Sequence, residues 1–281
     1  MSTQQTNQPN TEKKKTSLRA FFKRRPEWIT LPLSLIIFLA LWELITIVFN
    51  IPVYILPAPT LIFKSTVSGW SSGIFSRHTL VTLNEIAIGF GISAFLGLFF
   101  GAIIAQWRLV EKTLYPYLVA IDTIPKVALA PIIIVWMGVG ITSKVVIAGL
   151  VAFFPILVNT IQGLVLVDET KLNLMRALGA SKWQTFWKLR VPNALPLIFT
   201  GLDTASVLCV LGAITGEFVG SRAGLGNIIL HYQFMLDIPS FFSVVIILGV
   251  MGLIFHGIIR FLQRKLVFWV EVDEMDPAMS I

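Results

Sequence analysis

Leu172-Asn173-Leu174-Met175-Arg176-Ala177-Leu178-Gly179-Ala180-Ser181-Lys182-Trp183-Gln184-Thr185-Phe186-Trp187-Lys188-Leu189-Arg190-Val191-Pro192 stands apart from the apolar sequence on either side of it. Leu172, Met175 and Leu178 recur at three-residue spacing, the pattern of one face of a short helix. Gly179 comes next, and glycine ends a helix in the left-handed conformation without steric cost. Beyond Ala180, Ser181 opens a second helix, with Gln184 three residues on to complete a capping box. There Trp183, Phe186 and Trp187 form an apolar ridge interleaved with Lys182, Lys188 and Arg190. Pro192 and Pro196 are expected to stop this helix and start the next apolar segment. Such a hairpin has two uses: offering its ridge to a groove on another protein, or lying on a membrane surface. The residues by themselves leave both open.

The surroundings are those of a membrane protein. Of 281 residues, 56% are hydrophobic and 13% charged, against about 25% charged in a usual soluble domain. The mean hydropathy is +0.81. The single cysteine, Cys209, lies in an apolar run and has no partner for an internal disulfide. A hydrocarbon core about 30 Å thick takes about 20 helical residues. Six stretches qualify: Leu31–Phe49, Ile86–Ala105, Leu114–Met137, Val145–Val167, Ala194–Gly216 and Phe241–Ile259. Placing the N-terminus inside puts 17 Lys and Arg in the inner segments and four (Lys64, Arg77, Lys144, Arg222) outside, with Lys126 inside a span. That asymmetry makes the hairpin and both termini cytoplasmic. It also accounts for the formal charge of +7 without nucleic acid. The organisation expected is a basic cytoplasmic tail over 1–27, a transmembrane domain over 28–264 holding the hairpin at 168–193, and a cytoplasmic tail over 265–281. The first tail, with Lys13-Lys14-Lys15 and Lys23-Arg24-Arg25, reads as disordered and suits anionic headgroups. A cleaved signal peptide is the competing reading, but the apolar run behind the tail is too long and lacks a small-x-small site.

The hairpin spacing resembles the cytoplasmic loop motif of bacterial ABC-transporter permease subunits: Glu-Ala-Ala, three residues, Gly, nine residues, an aliphatic, one residue, then Leu-Pro. Here Gly179 is the glycine, Leu189 the aliphatic and Val191-Pro192 the final pair. The opening triplet is Asn173-Leu174-Met175, so the motif's acid and both alanines are missing. Other stretches are similar to one branch, the permeases of nitrate, sulfonate, taurine and pyrimidine-precursor importers. They are Leu56-Pro57-Ala58-Pro59, His78-Thr79-Leu80-Val81-Thr82-Leu83, Ile124-Pro125-Lys126-Val127-Ala128-Leu129-Ala130-Pro131 and Trp136-Met137-Gly138-Val139-Gly140. Phe153-Phe154-Pro155-Ile156, Gly201-Leu202, Gly216-Glu217-Phe218 and Gly224-Leu225-Gly226 continue the series in the same order.

The resemblance implies an all-α, type I importer-like permease of six transmembrane helices in the bacterial plasma membrane, itself no enzyme. Its implied partners are a second permease copy, two ATPase subunits, an extracytoplasmic solute-binding protein and the lipid bilayer. The ATPase would dock on Arg176, Leu178, Gly179, Ala180, Ser181, Trp183, Phe186 and Trp187. The sequence agrees in containing no G-x-x-x-x-G-K-[ST] phosphate loop, so ATP is not cradled here by that route. No cofactor is implied. The solute expected is small, an anionic organic or a sulfonate, nitrate or pyrimidine-precursor type, moved by alternating access.

Polar groups inside spans are costly and therefore informative. Asp122 and Lys126 lie four apart, one turn, so they can pair. Pro125 and Pro131 remove backbone donors around them, freeing carbonyls. These four residues and Glu217 are the candidate translocation path; a self-neutralised pair at a kink, and for Glu217 a gate, an interface or plain solvation, are the competing roles. Gly89, Gly91, Gly97 and Gly101 offer close approach between helices, whether for static packing or for sliding. Asp203 has no explanation from sequence. His78, His231 and His256 are scattered and form no metal motif, and Glu43 reads as a packed or interfacial acid. An ion-gradient-driven transporter or channel is the alternative, although it leaves a docking hairpin without a purpose. A membrane enzyme would need convergent catalytic groups that the sequence does not offer.

Overall fold

The computed structural model describes residues 27–269. The expected tails fall, but for their innermost residues, outside the described part. The described chain divides into two units at Thr60. The first holds α1 (Glu27–Val48), the first expected span. Its apolar part is Pro32–Val48, about 25 Å of helix and slightly short of the hydrocarbon thickness. Within this unit the Glu43 carboxylate accepts from the Thr60 amide (3.1 Å) and hydroxyl (2.8 Å). That contact closes a connection in which Asn50 is left-handed at φ 50°.

The remaining elements are α2 (Pro59–Ser71), α3 (Ile74–Gln106), α4 (Arg108–Asp122), a 3₁₀ turn (Lys126–Leu129), α5 (Ala130–Met137) and α6 (Ile141–Val165). Then come α7 (Glu169–Ala177), α8 (Lys182–Thr185), a π turn (Phe186–Arg190), α9 (Val191–Gly220), α10 (Leu225–Phe234) and α11 (Ile238–Leu266). Among the described residues there is no strand. Among the described residues four helices are long and apolar enough to cross a membrane: α3, α6, the run Lys182–Gly220, and α11. The third expected span is not one straight helix: α4 and the segment Lys126–Met137 meet at 74°. Pro125 explains the break, since it offers no amide to the preceding turn and disfavours helix before it.

The centre of the second unit is α6, packed between α3 and α9. Their shared core includes Ile86, Ala148, Ala152, Ile156, Ala205 and Cys209. Small residues allow the close approach. A Cβ on Gly97 would lie 2.8 Å from Ile156 Cγ2, one on Gly101 2.8 Å from Thr160 Cβ, and one on Gly212 2.8 Å from Ala148 Cα. Gly91 differs from expectation: nothing lies within 4 Å of its Cβ position, because it points away from the seam that Gly97 and Gly101 share.

Two further features depart from the sequence reading. Pro192 and Pro196 do not end the hairpin's second helix; Lys182–Gly220 runs as 39 helical residues. The π turn Phe186–Arg190 widens the helix just before Pro192, so the absent amide falls where the α register is already opened. In addition, α2 and α10 are helices that the span count passed over, 13 and 10 residues long.

Candidate functional site

The hairpin forms as its local chemistry dictates. Asp168 caps α7, its carboxylate accepting from the Thr170 amide at 2.7 Å, and that bond holds the carboxyl below its ordinary range. Gly179 is left-handed at φ 69°. Around it the Gly179 amide donates to the Arg176 carbonyl and the Ala180 amide to the Met175 carbonyl, both at 3.0 Å. These bonds tie off the helix end as in a Schellman termination. The second helix opens with the full capping box, Gln184 N to Ser181 Oγ at 3.2 Å and Ser181 N to Gln184 Oε1 at 2.8 Å.

The aromatic ridge divides. Trp183 is 67% exposed and Trp187 52%, with Leu178 beyond the turn exposed as well. Phe186 is 8% exposed. It turns inward onto Ala105, Leu164, Ala194 and Ile198, between the ends of three spans. Phe186 therefore packs the hairpin onto the ends of the apolar helices, while the rings of its two neighbours stay exposed. Trp183 and Trp187 still pack on it, with ring centroids 6.1 and 5.3 Å away. Arg176 donates to Asn173 Oδ1 at 2.8 Å, so the amide in place of the motif's acid has an internal partner.

At the broken span, Lys126 Nζ meets Asp122 Oδ1 at 2.6 Å. It also takes the Asp122 carbonyl at 2.7 Å, the acceptor left free by the break, and sits 4.8 Å from the Phe154 ring centre. Pro125 precedes the 3₁₀ turn, and Pro131 lies in the first turn of α5, where a missing amide costs nothing. The geometry shows a neutralised pair at a kink, its lysine 9% exposed and its aspartate 36%.

Glu217 is elsewhere. It is buried, which excludes plain solvation. Glu217 Oε1 accepts from the Thr82 hydroxyl at 2.6 Å and Oε2 from the Gly226 amide. Glu85 and Lys144 are buried in the same region, with Lys144 Nζ donating to the carbonyls of Val139 and Gly140. Sequence reasoning missed both, because each directly precedes an apolar stretch and resembles a loop-end charge. Asp203 acquires an explanation: His256 Nδ1 lies 2.5 Å from its Oδ1 and Arg260 Nε 3.9 Å from its Oδ2, joining α9 to α11. Among the described residues no group of three or more His, Cys, Asp or Glu is placed to hold a metal.

Residues 95–268 match the family described as "Binding-protein-dependent transport system inner membrane component". The chain is 35% identical over 248 residues to the riboflavin transport system permease protein RibX of Chloroflexus aurantiacus, covering 88% of this chain and 92% of that one. It is 36% identical over 247 residues to the formylaminopyrimidine transport permease protein ThiX of Halalkalibacterium halodurans, covering 88% and 98%. Identity to the putative aliphatic sulfonates transport permease protein SsuC of Bacillus subtilis is 30% over 247 residues, covering 88% and 90%. An inward-facing crystal form of the MetNI methionine ABC transporter shares the fold, with a TM-score of 0.55 at 20% identity over 66% of this chain and 94% of that one. A sharply bent apolar helix pair, a capped helical hairpin and these likenesses agree: the chain belongs to the binding-protein-dependent ABC importer permeases, multi-pass subunits of the bacterial plasma membrane whose ATPase is a separate chain.

Proposed function

We propose that two copies of this chain form the pathway of an importer, with one ATPase subunit seated on each 168–193 hairpin and a solute-binding protein delivering cargo from outside. The observation that carries this reading is the pairing of an inward Phe186 with outward Trp183 and Trp187. One face of the hairpin grips the spans while the other presents aromatic surface of the kind that fills a groove on a partner. ATP-driven closure of the ATPase pair moves the hairpins, and the spans alternate between outward and inward access. The solute is a small organic molecule, anionic or pyrimidine-derived. Support comes from the relatives, which by name serve riboflavin, formylaminopyrimidine and aliphatic sulfonates. Lys126, freed from Asp122 as the break between Pro125 and Pro131 flexes, is the group that meets an anionic cargo. Glu217 acts at the outer end as part of a gate.

Co-reconstitution tests the reading. Vesicles holding this chain, its ATPase and the binding protein should accumulate solute only with ATP inside the compartment facing the hairpin. Uptake driven by an ion gradient without the ATPase would favour the secondary-transporter alternative. Titration of candidate solutes against the binding protein identifies the cargo.

A further inference from the structure

Beside the hairpin lies a cavity of about 570 Å³, bounded by the end of α3, the start of α4, the end of α6 and one face of α7. Its charged lining consists of Arg108, Lys112, Arg176 and Arg190 against Glu111 and Glu169. Among the described residues the ion pairs within 4 Å all lie elsewhere, at Lys126–Asp122 and around Asp203. The four cations thus outnumber the two carboxylates of the lining, and none is held in a direct ion pair with them. Two of them are held at the wall by neutral oxygens: Arg176 by Asn173 Oδ1 at 2.8 Å and Arg190 by the Ala105 carbonyl at 3.5 Å. Asn173 itself lines the cavity. It is an uncharged amide at the position where the resembling loop motif has a glutamate, so the cavity keeps one positive charge more than that motif would leave.

The depth of the cavity says what the counter-charge is. Ala105 and Gln106 end α3, and Val165 and Val167 lie at the end of α6, so the floor is built from the ends of two apolar helices. Trp107, Leu109 and Leu166 are exposed around it, and tryptophan at a span end marks headgroup level. Free phosphate in the cytosol has no use for such an apolar rim, whereas a lipid presents its phosphate and its chains together. Of the residues expected to dock the ATPase, only Arg176 lines the cavity. Glu169, Leu172 and Arg176 face it from one side of α7, while Leu174 and Leu178 are exposed about half a turn away.

We propose that this cavity binds the phosphate of an anionic phospholipid of the cytoplasmic leaflet, such as phosphatidylglycerol, between Arg108, Lys112, Arg176 and Arg190. Basic recesses at the cytoplasmic ends of spans suit such headgroups, and guanidinium groups match phosphate oxygens in pairs. The bound lipid spans the start of α4, α7 and the π turn, and so sets the angle at which the hairpin stands. Binding itself requires neither ATP nor solute, so its test is independent of the transport function proposed above.

The test uses the purified permease–ATPase complex in detergent carrying equal amounts of phosphatidylglycerol and phosphatidylcholine, with retained lipids counted by native mass spectrometry. The complex should retain phosphatidylglycerol in preference. The double variant Arg108→Gln/Lys112→Gln should weaken that preference about tenfold, the loss of one or two charge-assisted bonds. Glu111→Gln, which removes an opposing charge, should strengthen it, and this gain distinguishes a site from a fold merely damaged by substitution. Equal retention of the two lipids would overturn the proposal, as would a preference unchanged in the double variant. Displacement of the lipid by millimolar inorganic phosphate with no lipid preference remaining would assign the site to the free anion instead and overturn the lipid assignment.

Discussion

Thr82 Oγ1 donates to Glu217 Oε1 at 2.6 Å and accepts from the Leu225 amide at 2.8 Å, so one hydroxyl ties α3, α9 and the start of α10 together. The Gly226 amide closes the arrangement on Glu217 Oε2, and the Gly224 amide donates to His78 Nδ1 at 3.0 Å. The short helix α10 is thereby fastened to two spans, and of the side chains involved Thr82 and Glu217 are fully buried.

Thr82→Val removes donor and acceptor at once while keeping the shape. The buried Glu217 oxygen and Leu225 amide then lose their partner, which costs about 1–3 kcal/mol. Thermal unfolding of the purified protein should show this loss for valine and almost none for Thr82→Ser.

Gly179→Val should separate ATP hydrolysis from uptake. A Cβ at Gly179 meets nothing within 4 Å, so the penalty is conformational. A left-handed backbone costs an L residue about 1–2 kcal/mol, and β-branching adds to it. The hairpin relaxes to another angle while the spans stay packed. Hydrolysis by the reconstituted complex should persist while uptake per ATP falls; normal uptake would remove the hairpin angle from the mechanism.

The divided ridge gives opposite outcomes on neighbouring residues. Phe186→Ala empties a buried site between three spans and should destabilise the chain by about 3–5 kcal/mol, seen as a lower unfolding temperature. Trp183→Ala with Trp187→Ala removes exposed rings and should leave that temperature nearly unchanged. Co-purification of the ATPase should respond the other way, lost with the tryptophan pair.

At the kink, the two halves of the ion pair are unequal. Lys126 is the more enclosed partner, so Asp122→Ala leaves a cation poorly solvated and should reduce the yield of folded protein. Lys126→Ala leaves Asp122 open to water and should spare assembly while lowering uptake of an anionic solute. Equal loss of yield in both variants would make the pair purely structural.

Features determined by neighbours in the chain were legible before any coordinates: the Gly179 turn, the Ser181–Gln184 box, the Asp122–Lys126 spacing, the apolar stretches. The orientation of Phe186 was not, because three aromatic residues at helical spacing look alike until one finds Ala194 and Leu164 across from it. Asp203 needed His256 and Arg260 from another helix, a pairing no local pattern announces. Glu85 and Lys144 were hidden by position, for a charge at the edge of an apolar run is ordinarily wet. Pro192 misled because the π turn that accommodates it has no sequence signal of its own.

The unbroken run from Lys182 to Gly220 has a mechanical consequence. From Trp183 to Glu217 it measures about 50 Å of helix, and its irregularities, the π turn and the internal Pro196, lie toward the near end. Beyond Pro196 the strut holds no further proline to absorb a displacement. A displacement of the hairpin end is therefore carried along the helix to Glu217, where it strains the bond from the Thr82 hydroxyl.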